Sequence, residues 1–212
     1  MSTRIKFCGF TRSEDLDVAL SLGVDAVGLI FDARSKRVVP LDVADQLRRR
    51  VPVFVSVVAL FRDADAALVH QVIERIDPDL LQFHGKESPE FCERWARPYL
   101  KAVPMAESQD LEDWCARYPK ARGLLLDSHA PGALGGTGHR FDWSRAPRGL
   151  SKSWVLAGGL DAANVGQALT MAAPPAVDVS SGIESAPGIK DPAKMRAFVD
   201  AVRRADRQPS KE

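Results

Sequence analysis

Short apolar runs recur along the chain, each followed by a longer stretch whose apolar residues return with helical spacing. Eight runs stand out: Ile5–Cys8, Ala26–Phe31, Val53–Phe61, Leu80–Phe83, Leu100–Val103, Gly123–Leu126, Trp154–Ala157 and Ala176–Val179. Their nearly continuous apolar character predicts strands covered on both faces, as in a parallel sheet. The intervening stretches carry helix signals. Thr11-Arg12-Ser13-Glu14 reads as a capping box, with Leu16, Ala19 and Leu20 on one face and Gly23 as a stop. Ser88-Pro89-Glu90 and Asp191-Pro192 each offer an N-cap followed by proline at the first helical position. Met195, Phe198, Val199 and Val202 form an apolar stripe after the second of these, and Asp161 to Ala172 supplies a further helix with an aspartate cap.

Eight strand–helix rounds within 212 residues predict an α/β chain folded as a single-domain (β/α)8 TIM barrel. An open doubly wound sheet would carry a glycine-rich turn after its first strand, whereas Gly9 stands alone there. No Pro- or Gly-rich linker divides the chain. The barrel is expected over residues 1–205, with polarity rising from Arg203 and a flexible polar tail at 206–212.

Composition narrows the partners. With 29 basic and 28 acidic side chains the net charge is +1, so no global field favours nucleic acid or an anionic membrane. Any anionic ligand needs a local site. The N-terminus has no apolar signal region, and no stretch approaches the roughly 18 uninterrupted apolar residues of a membrane span. Cys8, Cys92 and Cys115 are too sparse for a disulfide framework, and neither they nor His70, His84, His129 and His139 show zinc-ligand spacing. A cytoplasmic, reduced protein without a metal is expected.

Barrel enzymes take their chemistry from the C-terminal ends of strands and the loops that follow. Gly158-Gly159 ends the seventh run and Ser180-Ser181-Gly182 ends the eighth, the place where such barrels bind phosphate. Small residues let backbone N–H groups approach phosphate oxygens, and the serines could add hydroxyl donors; tight turns are the plainer reading. Asp127 follows Leu124-Leu125-Leu126, so an apolar wall could keep its carboxyl protonated as a general acid, or it could be a structural carboxylate. Cys8 is either a small buried hydrophobe or a reactive thiol at the end of the first strand. Arg37 is a carboxylate clamp or part of a solvated basic loop with Arg34 and Lys36. His84 is a ligand contact or a satisfied strand-end histidine. Gly135-Gly136-Thr137-Gly138 is either a crossing of the barrel mouth or a long surface connection. Cys92 and Cys115, on helices beside Trp95 and Trp114, read as packing residues.

The ordered set of motifs resembles the phosphoribosylanthranilate isomerase family of tryptophan biosynthesis. The markers are Lys6-Phe7-Cys8-Gly9-Phe10-Thr11, Ser35-Lys36-Arg37, Gln82-Phe83-His84-Gly85 and Leu125-Leu126-Asp127-Ser128. They continue with Gly135-Gly136-Thr137-Gly138, Phe141-Asp142-Trp143, Ala157-Gly158-Gly159-Leu160 and Asn164-Val165. The set closes with Asp178-Val179-Ser180-Ser181-Gly182-Ile183-Glu184 and Pro187-Gly188-Ile189-Lys190-Asp191. Phe7, Phe83 and Asp63 depart from the usual isoleucine, leucine and asparagine, and none of these removes a reactive group.

The resemblance implies an Amadori rearrangement of N-(5-phosphoribosyl)anthranilate that needs one acid, one base and no cofactor. It implies Asp127 as the acid, Cys8 as the base, Arg37 on the anthranilate carboxylate and Asp178 on the anthranilate amine, with His84 also at the substrate. Gly158, Gly159, Ser180, Ser181 and Gly182 would hold the phosphate. The partner is then a small phosphorylated metabolite, and the chain a monomer or homodimer. A related sugar isomerase of histidine biosynthesis, or a form serving both pathways, has aspartate in place of Cys8. A catalytically silent sensor barrel would have lost Cys8 or Asp127.

Overall fold

The computed structural model describes residues 2–105, 110–127, 143, 146–147 and 149–207. Eight parallel strands close into a barrel, each pairing with the next and the eighth with the first. They are β1 (Arg4–Cys8), β2 (Ala26–Ile30), β3 (Ser56–Phe61), β4 (Leu80–Phe83), β5 (Tyr99–Pro104), β6 (Gly123–Asp127), β7 (Ser153–Ala157) and β8 (Ala176–Val179). Seven α-helices are present among the described residues: α1 (Ser13–Ser21), α2 (Leu41–Arg50), α3 (Ala66–Ile76), α4 (Pro89–Glu93), α5 (Leu111–Arg117), α6 (Val165–Ala172) and α7 (Pro192–Asp206). Beyond β8, a 3-10 turn (Ser181–Ile183) leads into an antiparallel hairpin of β9 (Glu184–Ala186) and β10 (Ile189–Lys190). No hydrophobic run in the sequence marks that hairpin.

Successive side chains on a strand face opposite ways, and the buried clusters separate accordingly. Phe7, Leu29, Phe61, Phe83, Leu124, Leu126 and Val177 share one cluster with Leu16, Val69 and Phe198 of the helices. Around this outer face Phe31, Phe61, Phe83 and Tyr99 form a ladder with centroid spacings of 5.8, 6.0 and 5.8 Å. Contacts of this kind add about 0.5–1.5 kcal/mol each beyond area burial. The inward positions form two small clusters, Cys8–Ile30–Leu60 and Ala102–Leu125–Ala157. Inward positions therefore carry both these apolar side chains and the buried polar Lys6, Gln82 and Asp178.

Several boundaries differ from the sequence expectation, each for a local reason. β3 begins at Ser56, not Val53: Val55 N–H turns back to the Pro52 carbonyl, and Phe54 lies fully exposed at φ 70°. The capping box at Thr11–Glu14 does not form. Arg12 is the N-cap residue, its guanidinium holds Asp15, and the Thr11 hydroxyl donates to the Gly188 carbonyl. α6 starts at Val165, because Asp161 closes a preceding turn by accepting from Ala163 and Asn164 N–H. The chain does not fray from Arg203. α7 runs to Asp206, whose carboxylate accepts from Thr3 N–H and its hydroxyl, while Arg203 donates to the Thr3 carbonyl. Ser88 and Asp191 cap their helices as expected. The Gly135–Gly138 loop and residues 208–212 lie outside the described residues.

Candidate active site

β1 delivers Cys8 to the barrel mouth, 3% exposed. Directly across the β1–β2 ladder stands Gly28, and a Cβ there would come within 2.6 Å of the Cys8 sulfur. That glycine makes room for the thiol. The next residue, Gly9, sits at φ 84° with the Arg37 side chain packed where its Cβ would be.

One layer below, Lys6 Nζ donates to Asp178 Oδ1 at 2.8 Å, with both side chains buried. Burial works against the Lys6 charge, but Asp178 and Cys8 outweigh it and its pKa is raised. The Cys8 thiol is pushed up chiefly by burial, while Lys6 and Lys190 pull the other way and Asp178 adds to the rise. The thiol therefore lies between two cations. Asp178, expected to await a substrate amine, is engaged with Lys6.

On the facing wall, Asp127 ends β6 and its Oδ2 lies 2.9 Å from His84 Nε2. Gln82 Nε2 meets His84 Nδ1 at 3.1 Å, and Gln82 is fully buried. The Gln82 amide and the Asp127 carboxyl thus engage the two nitrogens of the ring. His84 was expected to touch substrate; in this structure its ring nitrogens meet Gln82 and Asp127. The apolar wall around Asp127 also needs correction. Leu124 and Leu126 face the helices, so only Leu125 shares the inner face.

The end of β4 that carries His84 is fixed from the helix-facing side. Buried Lys101 donates to the carbonyls of Phe83 and Gly85 and to Glu87 Oε2. Glu87 in turn accepts from Asp63 and Gly85 N–H. Asp63 lies at φ 50°, a conformation in which aspartate and asparagine are both tolerated. Its exchange for the more usual asparagine is thereby accounted for.

Arg37 was expected to stand ready as a carboxylate clamp. Its fork is already occupied: Nε and Nη2 each donate to Glu184 at 2.8 Å. Glu184 also accepts from Lys190 Nζ at 2.9 Å. Burial opposes its charge, but Arg37 and Lys190 prevail and hold it below the usual carboxylate range. Sequence reasoning missed Glu184 and Lys190 as site residues, although both fall in its motifs.

The glycine signals converge as expected in position. Gly158 and Gly159 follow β7 at φ 87° and 65°, conformations few side chains adopt. Buried Asn164 straps this loop, donating to the Gly159 carbonyl and accepting from Asp161 N–H. A Cβ on Gly182 would overlap the Leu160 carbonyl, so the loops after β7 and β8 touch there. Ser181 is exposed beside it. The Ser180 hydroxyl, expected as a phosphate donor, instead donates to the Cys8 carbonyl at 3.0 Å. Cys92 and Cys115 are buried on α4 and α5, and burial pushes the Cys92 thiol up to about 12. Among the described residues no group of His, Cys, Asp and Glu is placed to hold a metal ion.

Residues 5–201 match the protein family described as N-(5'phosphoribosyl)anthranilate (PRA) isomerase. The chain belongs to that family. It is 53% identical over 210 residues to the N-(5'-phosphoribosyl)anthranilate isomerase of Xanthomonas euvesicatoria, covering 96% of this chain and 95% of that one. The solved phosphoribosylanthranilate isomerase of Thermotoga maritima, a dimeric enzyme, superimposes with TM-score 0.84 at 33% identity, over 95% of this chain and 98% of that one. A further solved isomerase, in complex with reduced 1-(o-carboxyphenylamino)-1-deoxyribulose 5-phosphate, gives TM-score 0.81 at 31% identity, with coverage of 95% and 98%. The family match supports isomerisation of phosphoribosylanthranilate in tryptophan biosynthesis as the activity of this barrel. The family match sets aside the sugar isomerase of histidine biosynthesis and the silent barrel.

Proposed function

We propose that Cys8 is the general base and Asp127 the general acid of the Amadori rearrangement giving 1-(2-carboxyphenylamino)-1-deoxyribulose 5-phosphate. The observation that carries this is their placement. Each ends an inward-facing strand position on opposite walls of one mouth, Cys8 flanked by cations and Asp127 hydrogen-bonded to His84. Asp127 protonates the furanose ring oxygen as the aniline nitrogen pushes electrons into C1, and the ring opens to a Schiff base. The Cys8 thiolate then removes the C2 proton, and the resulting enolamine tautomerises to the ketone.

Binding follows the same map. The phosphate lies against the backbone of Gly158, Gly159, Ser181 and Gly182, with Ser180 contributing its N–H rather than its hydroxyl. Arg37, held by Glu184 along one edge, turns its remaining Nη1 to the anthranilate carboxylate. Asp178 meets the anthranilate amine beside Lys6. Because the base must be a free thiol, the chain works in a reducing compartment, the cytoplasm. Residues 1–205 act as one catalytic barrel, and a homodimer like that of the Thermotoga maritima enzyme is one of two assembly states to be told apart by mass in solution.

The test of the acid assignment is Asp127→Asn, which keeps size and polarity but cannot deliver a proton. Turnover should fall by about 10²–10⁴-fold, the range for a lost general acid. Affinity for a reduced product analogue should change far less. Retained turnover removes Asp127 from the mechanism, and lost affinity with normal turnover makes it a binding residue.

A further inference from the structure

The β9–β10 hairpin brings two buried charges into the mouth from a segment that contributes nothing to the barrel wall. Lys190 Nζ lies 2.5 Å from the Cys8 carbonyl, 3.3 Å from the Ser180 carbonyl and 2.9 Å from Glu184 Oε1. All three neighbours are acceptors and fit an ammonium with three hydrogens; burial lowers the lysine's pKa, and Glu184 is the chief group opposing that fall. The hairpin is itself anchored: Lys190 N–H donates to Asp15, which Arg12 holds, and Gly188 accepts from Thr11. Its position is therefore set by the loop that leaves β1. The same arrangement recurs at Lys101, whose ammonium meets two carbonyls and a glutamate around His84. The ends of β1 and β4 are thus each held by a buried lysine.

We infer that Lys190 is the positioning residue of the general base: through the Cys8 and Ser180 carbonyls it fixes the strand end that presents Cys8, and it sets a cation, held by Glu184, beside the thiol. The inference rests on Cys8 being the base. The charged groups against the thiol are Lys6 and Asp178 from below, Lys190 and Glu184 from the hairpin, and Arg37 from the loop after β2. Lys190 lowers the thiol's pKa against the burial that raises it. Glu184, 2.9 Å from the ammonium, supports its charge against burial. Neutralising Lys190 therefore moves the thiol upward, whereas Lys190→Arg, which keeps the charge, should not, and a purely structural role would not separate the two.

The experiment titrates the ultraviolet absorbance of the Cys8 thiolate, taken as the difference from Cys8→Ala, in wild type, Lys190→Met and Lys190→Arg. Lys190→Met should shift the midpoint upward by about one unit, a tenfold loss of thiolate at any pH below it. Lys190→Arg should keep most of the wild-type midpoint. An unchanged midpoint in Lys190→Met, or equal shifts in the Met and Arg variants, overturns the inference. If Lys190→Met does not fold, Lys190→Gln takes its place: an upward shift supports the inference, and no shift or a downward one overturns it. The readout is the thiol itself, so it stands apart from whether Cys8→Ala loses turnover, the result on which the base assignment depends.

Discussion

Replacing Gly28 with alanine adds one methyl group at the point where β2 faces the Cys8 thiol. Gly28 is not in a left-handed conformation, so alanine strains no backbone dihedral there, and the whole effect comes from contact. The new carbon would stand 2.6 Å from the sulfur and 3.1 Å from the Cys8 Cα. Comfortable packing needs roughly 3.5–4.0 Å, so the thiol must move by about 1 Å. Overpacking of this kind costs about 1–3 kcal/mol, partly offset by the roughly 0.5–1 kcal/mol that alanine gains over glycine within a strand. A net loss of about 1–2 kcal/mol leaves a folded protein. A displacement of about 1 Å in a reacting group can cost about a hundredfold in rate. The assay compares kcat/KM and Tm of Gly28→Ala with those of Gly166→Ala, where an added Cβ meets nothing within 4 Å. Gly28→Ala should lose about ten- to a hundredfold in kcat/KM with a small drop in Tm, and Gly166→Ala should keep its activity. Wild-type kcat/KM in Gly28→Ala would refute the placement of the thiol as the reacting group.

Other outcomes follow from the same geometry. Gly182→Ala drives a methyl into the Leu160 carbonyl, so competitive inhibition by inorganic phosphate should weaken at least about tenfold; unchanged inhibition would move the phosphate elsewhere. The base must be deprotonated and the acid protonated, so kcat/KM of the wild type should trace a bell in pH, with one limb set by the Cys8 thiol, which burial holds above its ordinary value. A profile flat in pH would argue against this acid–base pair. Asp206 is opposed by burial, but Thr3, Ser2 and Arg203 hold its pKa below 3.8. A carboxylate with a depressed pKa contributes stability above its unfolded value and loses it as pH falls through the folded one. Asp206→Asn should therefore lower stability near neutrality by about 1–2 kcal/mol, with the difference shrinking below about pH 4 in a denaturant series.

Strand positions were legible because a barrel strand is apolar on both faces, and the mouth was legible because its loops carry glycine, serine and single polar residues. Val53 and Phe54 misled for the same reason: two apolar residues extend a run, yet the turn at Pro52 leaves Phe54 in solvent. Partners were the harder part. Arg37 and Glu184 are 147 positions apart and Lys190 and Cys8 182 apart, so no local pattern joins them. Gly28 looks like any strand glycine until the ladder register sets it opposite Cys8. His84 and Asp178 were identified as site residues, but only coordinates show that Asp127 and Lys6 already hold them.

The central claim is that this isomerase uses the Cys8 thiol as its base, and one measurement tests it most directly. Purified wild type and Cys8→Ala are given freshly prepared phosphoribosylanthranilate, and loss of substrate fluorescence is followed beside circular dichroism of both proteins. Wild type should consume the substrate, while Cys8→Ala should retain its fold and turn over at least about a hundredfold more slowly, as for a lost general base. Near-wild-type turnover by a folded Cys8→Ala would contradict it.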